Sequence, residues 1–339
     1  MSVNGFASAS RSAAVRATHA WFETNSGWAE PTRDTIAEWF GDDVCQCPDE
    51  CWVAVDGVCE HGLASWWLVL TAMGEHLDLQ VPARSSILTH SPNFRDIGGI
   101  IAADGQVVRQ GLVYRSGVMD LLDGPDVSRL RALGIKTIID VRSIGEIEAR
   151  PNRLPQDVVT HHVPVHDVSA APLSIIDRIV GGETDGLGAP MLIAGNRAFA
   201  THHIAVFQKV VPMLANPDAW PVVVHCTAGK DRTGFSVAAL LWMLGVAHDA
   251  VVADYVRSND ALDARHGAII RDVQAKGLDP TVLHEMLQCT PAYIGAGYDA
   301  AIEAHGSIDR WVSDALLVSA EQRSAARSAM LEPAASKML

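Results

Sequence analysis

The chain has 339 residues, 48% of them hydrophobic, which is enough for one large domain or two ordinary ones with a real core. A formal net charge of −14 excludes the basic stripe of a nucleic-acid binder and disfavours adhesion to anionic membrane surfaces. Met1 to Ser12 has no charged stretch leading into an apolar one, and the most apolar run, Ala64 to Met73, is too short to span a bilayer. A soluble, cytoplasmic protein is expected, with export by a route that needs no such signal left open.

Residues 1–85 differ in character from the rest. They hold six of the nine tryptophans (Trp21, Trp28, Trp39, Trp52, Trp66, Trp67) and four of the six cysteines, Cys45, Cys47, Cys51 and Cys59. Helices are expected over Arg11–Glu23, Pro31–Phe40 and Leu63–Met73, making a small, largely helical module. With His61, the four cysteines give five soft ligands, and any four of them would complete a tetrahedral zinc site that supports a small core. The spacing is not a paired C-x-x-C arrangement, so two disulfides in an exported protein, or buried free thiols, compete with zinc. A regulatory role or a protein partner is expected for this module. Val81 to Ser86 reads as a linker into a second domain over residues 86–339.

From Ile87 onward strands alternate with helices. Strands are expected over Gln106–Tyr114, Ile135–Val141 and Val158–Val165, with a helix over Pro125–Leu133. The stretch from Val168 to Asn196 is loose and glycine-rich, as a lid or substrate loop would be. A helix over Ala198–Leu214 leads into a short β-branched strand at Trp220–Val224, and an apolar helix runs from Phe235 to Gly245. Further helices are expected over Asp249–Arg257, Pro280–Leu287, Pro291–Ala304 and Glu321–Leu331. The pattern predicts an α/β fold with a mostly parallel central sheet flanked by helices. His161, His162 and His166 lack ligand spacing and read as strand or surface residues, and Cys289 reads as a buried thiol.

Between the strand at Trp220 and the helix at Phe235 stands His225-Cys226-Thr227-Ala228-Gly229-Lys230-Asp231-Arg232-Thr233-Gly234. A strand-to-helix loop gathers free backbone N–H groups at the positive end of the helix dipole, a site for an anion. Thr227, Ala228, Gly229 and Lys230 would supply the amides of that cradle. Arg232 would close it, because a planar guanidinium binds two phosphoryl oxygens at once. Cys226 at its base is placed to attack phosphorus as a thiolate, with His225 behind the loop to orient it. Thr233 is placed to donate its hydroxyl to the departing thiolate. The reaction also needs an acid for the leaving oxygen and a base for the hydrolytic water, and Asp231 or Asp167 is the candidate for each; spacing does not choose between them. No metal is needed for this chemistry.

These residues resemble the phosphate loop of cysteine-dependent tyrosine phosphatases. Asn93-Phe94-Arg95-Asp96-Ile97-Gly98-Gly99, Tyr114-Arg115-Ser116, Ile139-Asp140-Val141-Arg142-Ser143 and Val252 to Asp260 resemble further motifs of the atypical bacterial group within that family, whose members act on phosphotyrosine, phosphoserine or phosphothreonine, and phosphoinositides. The resemblance covers about residues 87–332 and implies Cys226 as nucleophile and Arg232 as phosphate clamp. It implies phosphorylated proteins as the substrate class, with phosphoinositides as the alternative because Lys230 resembles a lysine that meets a second phosphate. Arg95 and Asp96 read either as groups of the phosphate pocket or as a surface turn or salt bridge. A phosphate-binding module without turnover is the remaining alternative, and the intact Cys226 and Arg232 weigh against it.

Overall fold

In the computed structural model, which describes residues 11–26, 28–32, 35–36, 39, 44–54, 57–59, 61–72, 87–165, 185–261, 273–276 and 281–334, the chain divides into two units, Met1–Arg84 and Ser85–Leu339. The first contains helix α1 (Arg11–Thr24), a hairpin of β1 (Val44–Gln46) and β2 (Trp52–Ala54), and helix α2 (Trp66–Ala72). Its core gathers Ala14, Ile36, Cys45, Ala64, Trp66, Val69 and Leu70, with Phe22 stacked on Trp66 at 5.4 Å between ring centroids. The hairpin stands beside the helices, which carry most of this unit's regular structure among the described residues. It forms where Val44-Cys45-Gln46 and Trp52-Val53-Ala54 put β-formers on both sides of a turn. Half of the helix expected over Pro31–Phe40, and the linker at Val81, lie outside the described residues.

The second unit is built on a five-stranded sheet. Its members are β3 (Arg95–Asp96), β5 (Val113–Ser116), β6 (Thr137–Asp140), β7 (Val159–His162) and β8 (Val222–His225), in the order β3-β5-β8-β6-β7. All pairings are parallel except the short edge strand β3. Strands β5, β6 and β8 are buried at every position, as parallel strands covered on both faces must be. Strand β8 lies at the centre with Val222 in register with both Val113 and Thr137, so whatever follows His225 emerges at the carboxyl edge of the sheet, flanked by β5 and β6. That edge is where ligands bind in open parallel sheets.

Around the sheet are α3 (Gly124–Ala132), α4 (Ile144–Ala149), α5 (Ala189–Thr201), α6 (Ile204–Leu214), α7 (Asp231–Met243), α8 (His248–Val256), α9 (Thr281–Leu287), α10 (Pro291–His305) and α11 (Ala320–Met330). Helix α7 is buried continuously from Thr233 to Met243, so it is a central helix rather than an amphipathic cover. Phe235 anchors it among Phe207 at 4.8 Å, Phe199 at 5.5 Å, Trp242 at 5.8 Å and Trp311 at 6.0 Å. No helix among the described residues is long and apolar enough to cross a membrane.

Two expected elements divide. The strand expected over Gln106–Tyr114 is two: β4 (Gln106–Val108) pairs with β9 (Leu331–Pro333), and the chain then turns at Gly111, φ +78°, before β5 joins the central sheet. The helix expected over Ala198–Leu214 breaks at His202–His203, and its first half reaches back to Ala189, into the stretch read as loose. Five glycines in that stretch hid a helix start that Pro190 permits in its first turn. Residues 166–184, most of the expected lid, lie outside the described residues.

Because Phe235 is fully buried at the hub of this aromatic cluster, Phe235→Ala is expected to cost about 3–5 kcal/mol. Urea unfolding followed by tryptophan fluorescence, compared with the wild type, checks this.

Candidate active site

The loop after β8 is shaped by one glycine. Gly229 sits at φ +72°, and a Cβ there would lie 2.6 Å from the backbone of Ser116 and Gly117. Only glycine meets both conditions, left-handed backbone and contact with the neighbouring strand end. In this conformation the Gly229 N–H donates to the Cys226 Sγ at 3.3 Å, and Cys226 is 2% exposed. Helix α7 begins at Asp231, so the sulfur lies beneath the positive end of a helix thirteen residues long. An inward-facing loop amide and an aligned helix both favour an anion at this end of the loop.

The carbonyl of Gly229 is pinned from the other side. Asn93 Nδ2 donates to it at 2.7 Å and Arg115 Nη2 at 2.8 Å. Arg115, on β5 and fully buried, also meets Asp254 on α8 at 2.5 Å, and Arg95 on β3 meets the same carboxylate at 3.2 Å. Burial opposes the charge on Asp254, yet Arg95 and Arg115 hold its pKa down to about 2. Two guanidiniums on one carboxylate leave surplus positive charge behind the loop, which favours an anion in front of it. Burial and the neighbouring Arg115 correspondingly push Arg95 down to about 10. Arg95 also donates to Asn93 Oδ1. Arg95 is thus in an ion pair, and Asp96 serves a turn. Asp96 spends one oxygen on the Gly98 N–H at 2.7 Å and the other on the Gly111 N–H at 2.6 Å, fixing the turn before β5.

Arg232 is held by a residue that sequence reasoning missed. Its two terminal nitrogens donate to the two oxygens of Glu146 at 2.6 and 2.8 Å, and the Thr227 hydroxyl donates to the same carboxylate at 2.5 Å. Glu146 is also the third residue of α4, where its side chain takes the Ser143 N–H at 2.9 Å in a reciprocal cap. Burial is outweighed by these donors, which hold the Glu146 carboxyl well below the usual carboxylate range. The available signal was Ser143-x-x-Glu146 directly after a strand, a capping box. What sequence does not display is that the capping carboxylate has a second client in Arg232.

His225 is fully buried beneath the loop. Its Nδ1 lies 3.1 Å from its neighbour's carbonyl, Cys226 O, while Nε2 lies 3.0 Å from Asn152 Nδ2 and 3.3 Å from Asp140 Oδ2. Burial works against the Asp140 carboxylate, but His225 and Arg142 hold its pKa well below the usual range. Thr233 is buried and its hydroxyl has no hydrogen-bond partner among the described residues.

Asp231 is partly exposed at the loop's far end. One oxygen accepts from the Tyr255 hydroxyl at 2.8 Å, and the other lies 3.5 Å from Lys230 Nζ. Lys230 does not point outward. Its ammonium donates to Gln288 O at 2.9 Å and sits 5.7 Å from the centre of the Tyr293 ring, leaving the residue 4% exposed. Ala228, at the loop's tip, is exposed. Asp167 and His166 lie outside the described residues. In the first unit, Cys51, Cys59 and His61 come together with Asp49, whereas Cys45 is buried in the separate core beside Trp66 and Cys47 lies at the edge of the group. The arrangement as a whole can bind a tetrahedral oxyanion over a sulfur nucleophile.

Residues 87–332 match the sequence profile of the Tyrosine phosphatase family. A Cupriavidus necator protein named as a tyrosine-protein phosphatase is 33% identical over 231 residues, spanning 68% of this chain and 83% of its own. The triple specificity protein phosphatase PtpB of Mycobacterium tuberculosis is 31% identical over 257 residues, spanning 66% of this chain and 91% of its own.

Removing the shared carboxylate while keeping its size tests the brace. Asp254→Asn leaves Arg95 and Arg115 buried without a counter-charge and is expected to cost about 3–5 kcal/mol in chemical unfolding. Since the folded pKa of Asp254 is lowered to about 2, its stabilisation is present above the unfolded value of about 3.9 and is lost as pH falls toward 2. Wild-type stability should therefore drop between about pH 4 and pH 2, more steeply than that of the variant.

Proposed function

From the premise that this chain belongs to the tyrosine phosphatase family, and is a phosphoric monoester hydrolase, we infer that it hydrolyses phosphate monoesters through a phosphocysteine at Cys226. The observation that carries this reading is the Gly229 amide aimed at the Cys226 sulfur, in a loop whose far end presents Arg232 on a fixed carboxylate. The Cys226 thiolate attacks phosphorus as the bond to the leaving oxygen breaks. The loop amides of Thr227, Ala228, Gly229 and Lys230 and the Arg232 guanidinium take up the charge on the phosphoryl oxygens. Asp231 gives its proton to the leaving oxygen. Water then attacks the phosphocysteine, its proton passes to Asp231, and the P–S bond breaks to return the thiolate. Asp231 suits both tasks because it is partly exposed at the loop's mouth, with Tyr255 steadying one oxygen and the Lys230 ammonium 3.5 Å from the other. The unpaired Thr233 hydroxyl is available to the sulfur when the thiolate departs.

The substrate class supported best is a phosphotyrosyl protein, by relatives named for protein phosphatase activity. The phosphoinositide reading relied on Lys230 meeting a second phosphate. Its ammonium is instead engaged with Gln288 and Tyr293, which weakens that reading.

Hydrolysis of an aryl phosphate at mildly acidic pH tests the mechanism. Cys226→Ser should lower kcat by at least about 10³-fold, and a chelator should leave wild-type turnover unchanged. Turnover surviving in Cys226→Ser would sink the reading. A panel of phosphotyrosyl peptides against phosphoinositides then decides substrate class, with the peptides expected to be preferred. Glu146→Gln, which keeps shape but loses charge, should lower kcat/KM by about 10²-fold through a misplaced Arg232, read in the same assay.

A further inference from the structure

Between Cys47 and Leu63 the first unit makes one turn twice. In the first copy the Cys47 N–H donates to Cys51 O at 2.8 Å and the Glu50 N–H to Cys47 O at 2.9 Å. In the second the Cys59 N–H donates to Leu63 O at 2.9 Å and the Gly62 N–H to Cys59 O at 2.9 Å. The fourth residue of each is left-handed, Glu50 at φ 64° and Gly62 at φ 81°. Glycine adopts that conformation freely, whereas glutamate does so against steric resistance, so the first turn is held in a shape its own sequence does not prefer.

The duplicated turn brings chemistry together. Asp49 and Cys51 come from the first copy, Cys59 and His61 from the second, and one donor atom from each lies within 4.8 Å of the other three. Cys51 Sγ is 3.5 Å from His61 Nδ1, and Cys59 Sγ is 3.4 Å from Asp49 Oδ2. Tetrahedral bonds of about 2.0–2.3 Å separate donor atoms by about 3.3–3.8 Å, the range of both pairs. The His61 Nδ1 to Asp49 Oδ2 pair, at 2.7 Å, is at hydrogen-bond distance and would open by about 0.6 Å on ligation. We propose that the two turns hold a zinc ion in the first unit, on Asp49, Cys51, Cys59 and His61. Two thiolates, an imidazole and a carboxylate suit zinc and do not suit magnesium or calcium, which take oxygen donors.

This set revises the ligands read from sequence. Cys45 belongs to the hydrophobic core with Trp66, and Cys47 points its thiol at Leu63 O, 3.3 Å away, packing one turn against the other. Asp49, which the spacing of soft ligands did not suggest, takes the fourth position. The proposal is independent of the chemistry at Cys226.

Elemental analysis of the full chain, purified under reducing conditions with zinc supplied, should find one zinc per chain. Cobalt exchanged into it should give visible d–d bands and a near-ultraviolet thiolate charge-transfer band. His61, its side chain 60% exposed, can be replaced with little risk to folding, and His61→Ala should weaken zinc binding by at least about 10-fold. Asp49→Asn should weaken it too, while Cys45→Ser and Cys289→Ser should keep one zinc. Absence of zinc and of the cobalt bands in the wild type would overturn the site, as would a disulfide at Cys51 or Cys59 that persists through purification under reducing conditions. Zinc kept by Asp49→Asn and lost by Cys47→Ser would overturn the ligand set.

Discussion

Everything at the site depends on how closely the backbone of Gly229 approaches the end of β5. The contact leaves no room for a side chain, and it turns the Gly229 amide toward the sulfur while its carbonyl faces Asn93 and Arg115. The N–H and the C=O belong to the two peptide units that flank the Gly229 Cα, and each unit is held by its own partners. The loop is thus held in shape by contacts that no anion has to supply, which is preorganisation in the sense that matters for stabilising charge. The sheet supplies the rigidity, since β5 and β8 are adjacent, parallel and wholly buried.

Charge is arranged in two tiers around that loop. In front, Arg232 is fixed by Glu146 on α4; behind, Arg95 and Arg115 converge on Asp254. Both tiers pair guanidiniums with carboxylates, yet their balance differs. Glu146 neutralises one cation, whereas Asp254 answers two. The rear tier is therefore the standing source of positive potential, and the front one is a positioned fork. Buried pairs of this kind contribute modestly to net stability but fix geometry strongly.

Much of this was legible in the sequence. The β-branched run before Cys226, the Cys226-to-Arg232 spacing and the apolar helix beyond gave strand, loop and helix in their observed places, because each has a local period or breaker. Failures came where the deciding contact is distant. Nothing near Gly111 says that Gln106–Val108 will pair with the chain's far end at Leu331. Arg95 and Asp96 look alike as charges, and only the fold reveals that one reaches Asp254 and the other closes a turn. Glu146 was invisible for a related reason: a capping carboxylate announces its helix but not its second partner. Lys230 shows the converse, since a lysine in an anion-binding loop invites a ligand and here is drawn inward by a carbonyl and a ring.

The bracing of Gly229 also sets when the protein can become competent as it is made. Asn93 and Arg115 reach the loop from more than a hundred positions earlier, while Asp254, which orients Arg115, follows it. Contacts so far apart in the chain form late, after the entropy of closing long loops has been met. A nascent chain that has exposed Cys226 and Arg232 but not yet α8 has the loop without the carboxylate that steadies its support. The loop is thereby braced in full only once α8 has packed, and a chain truncated before Asp254 carries Cys226 and Arg232 without that brace.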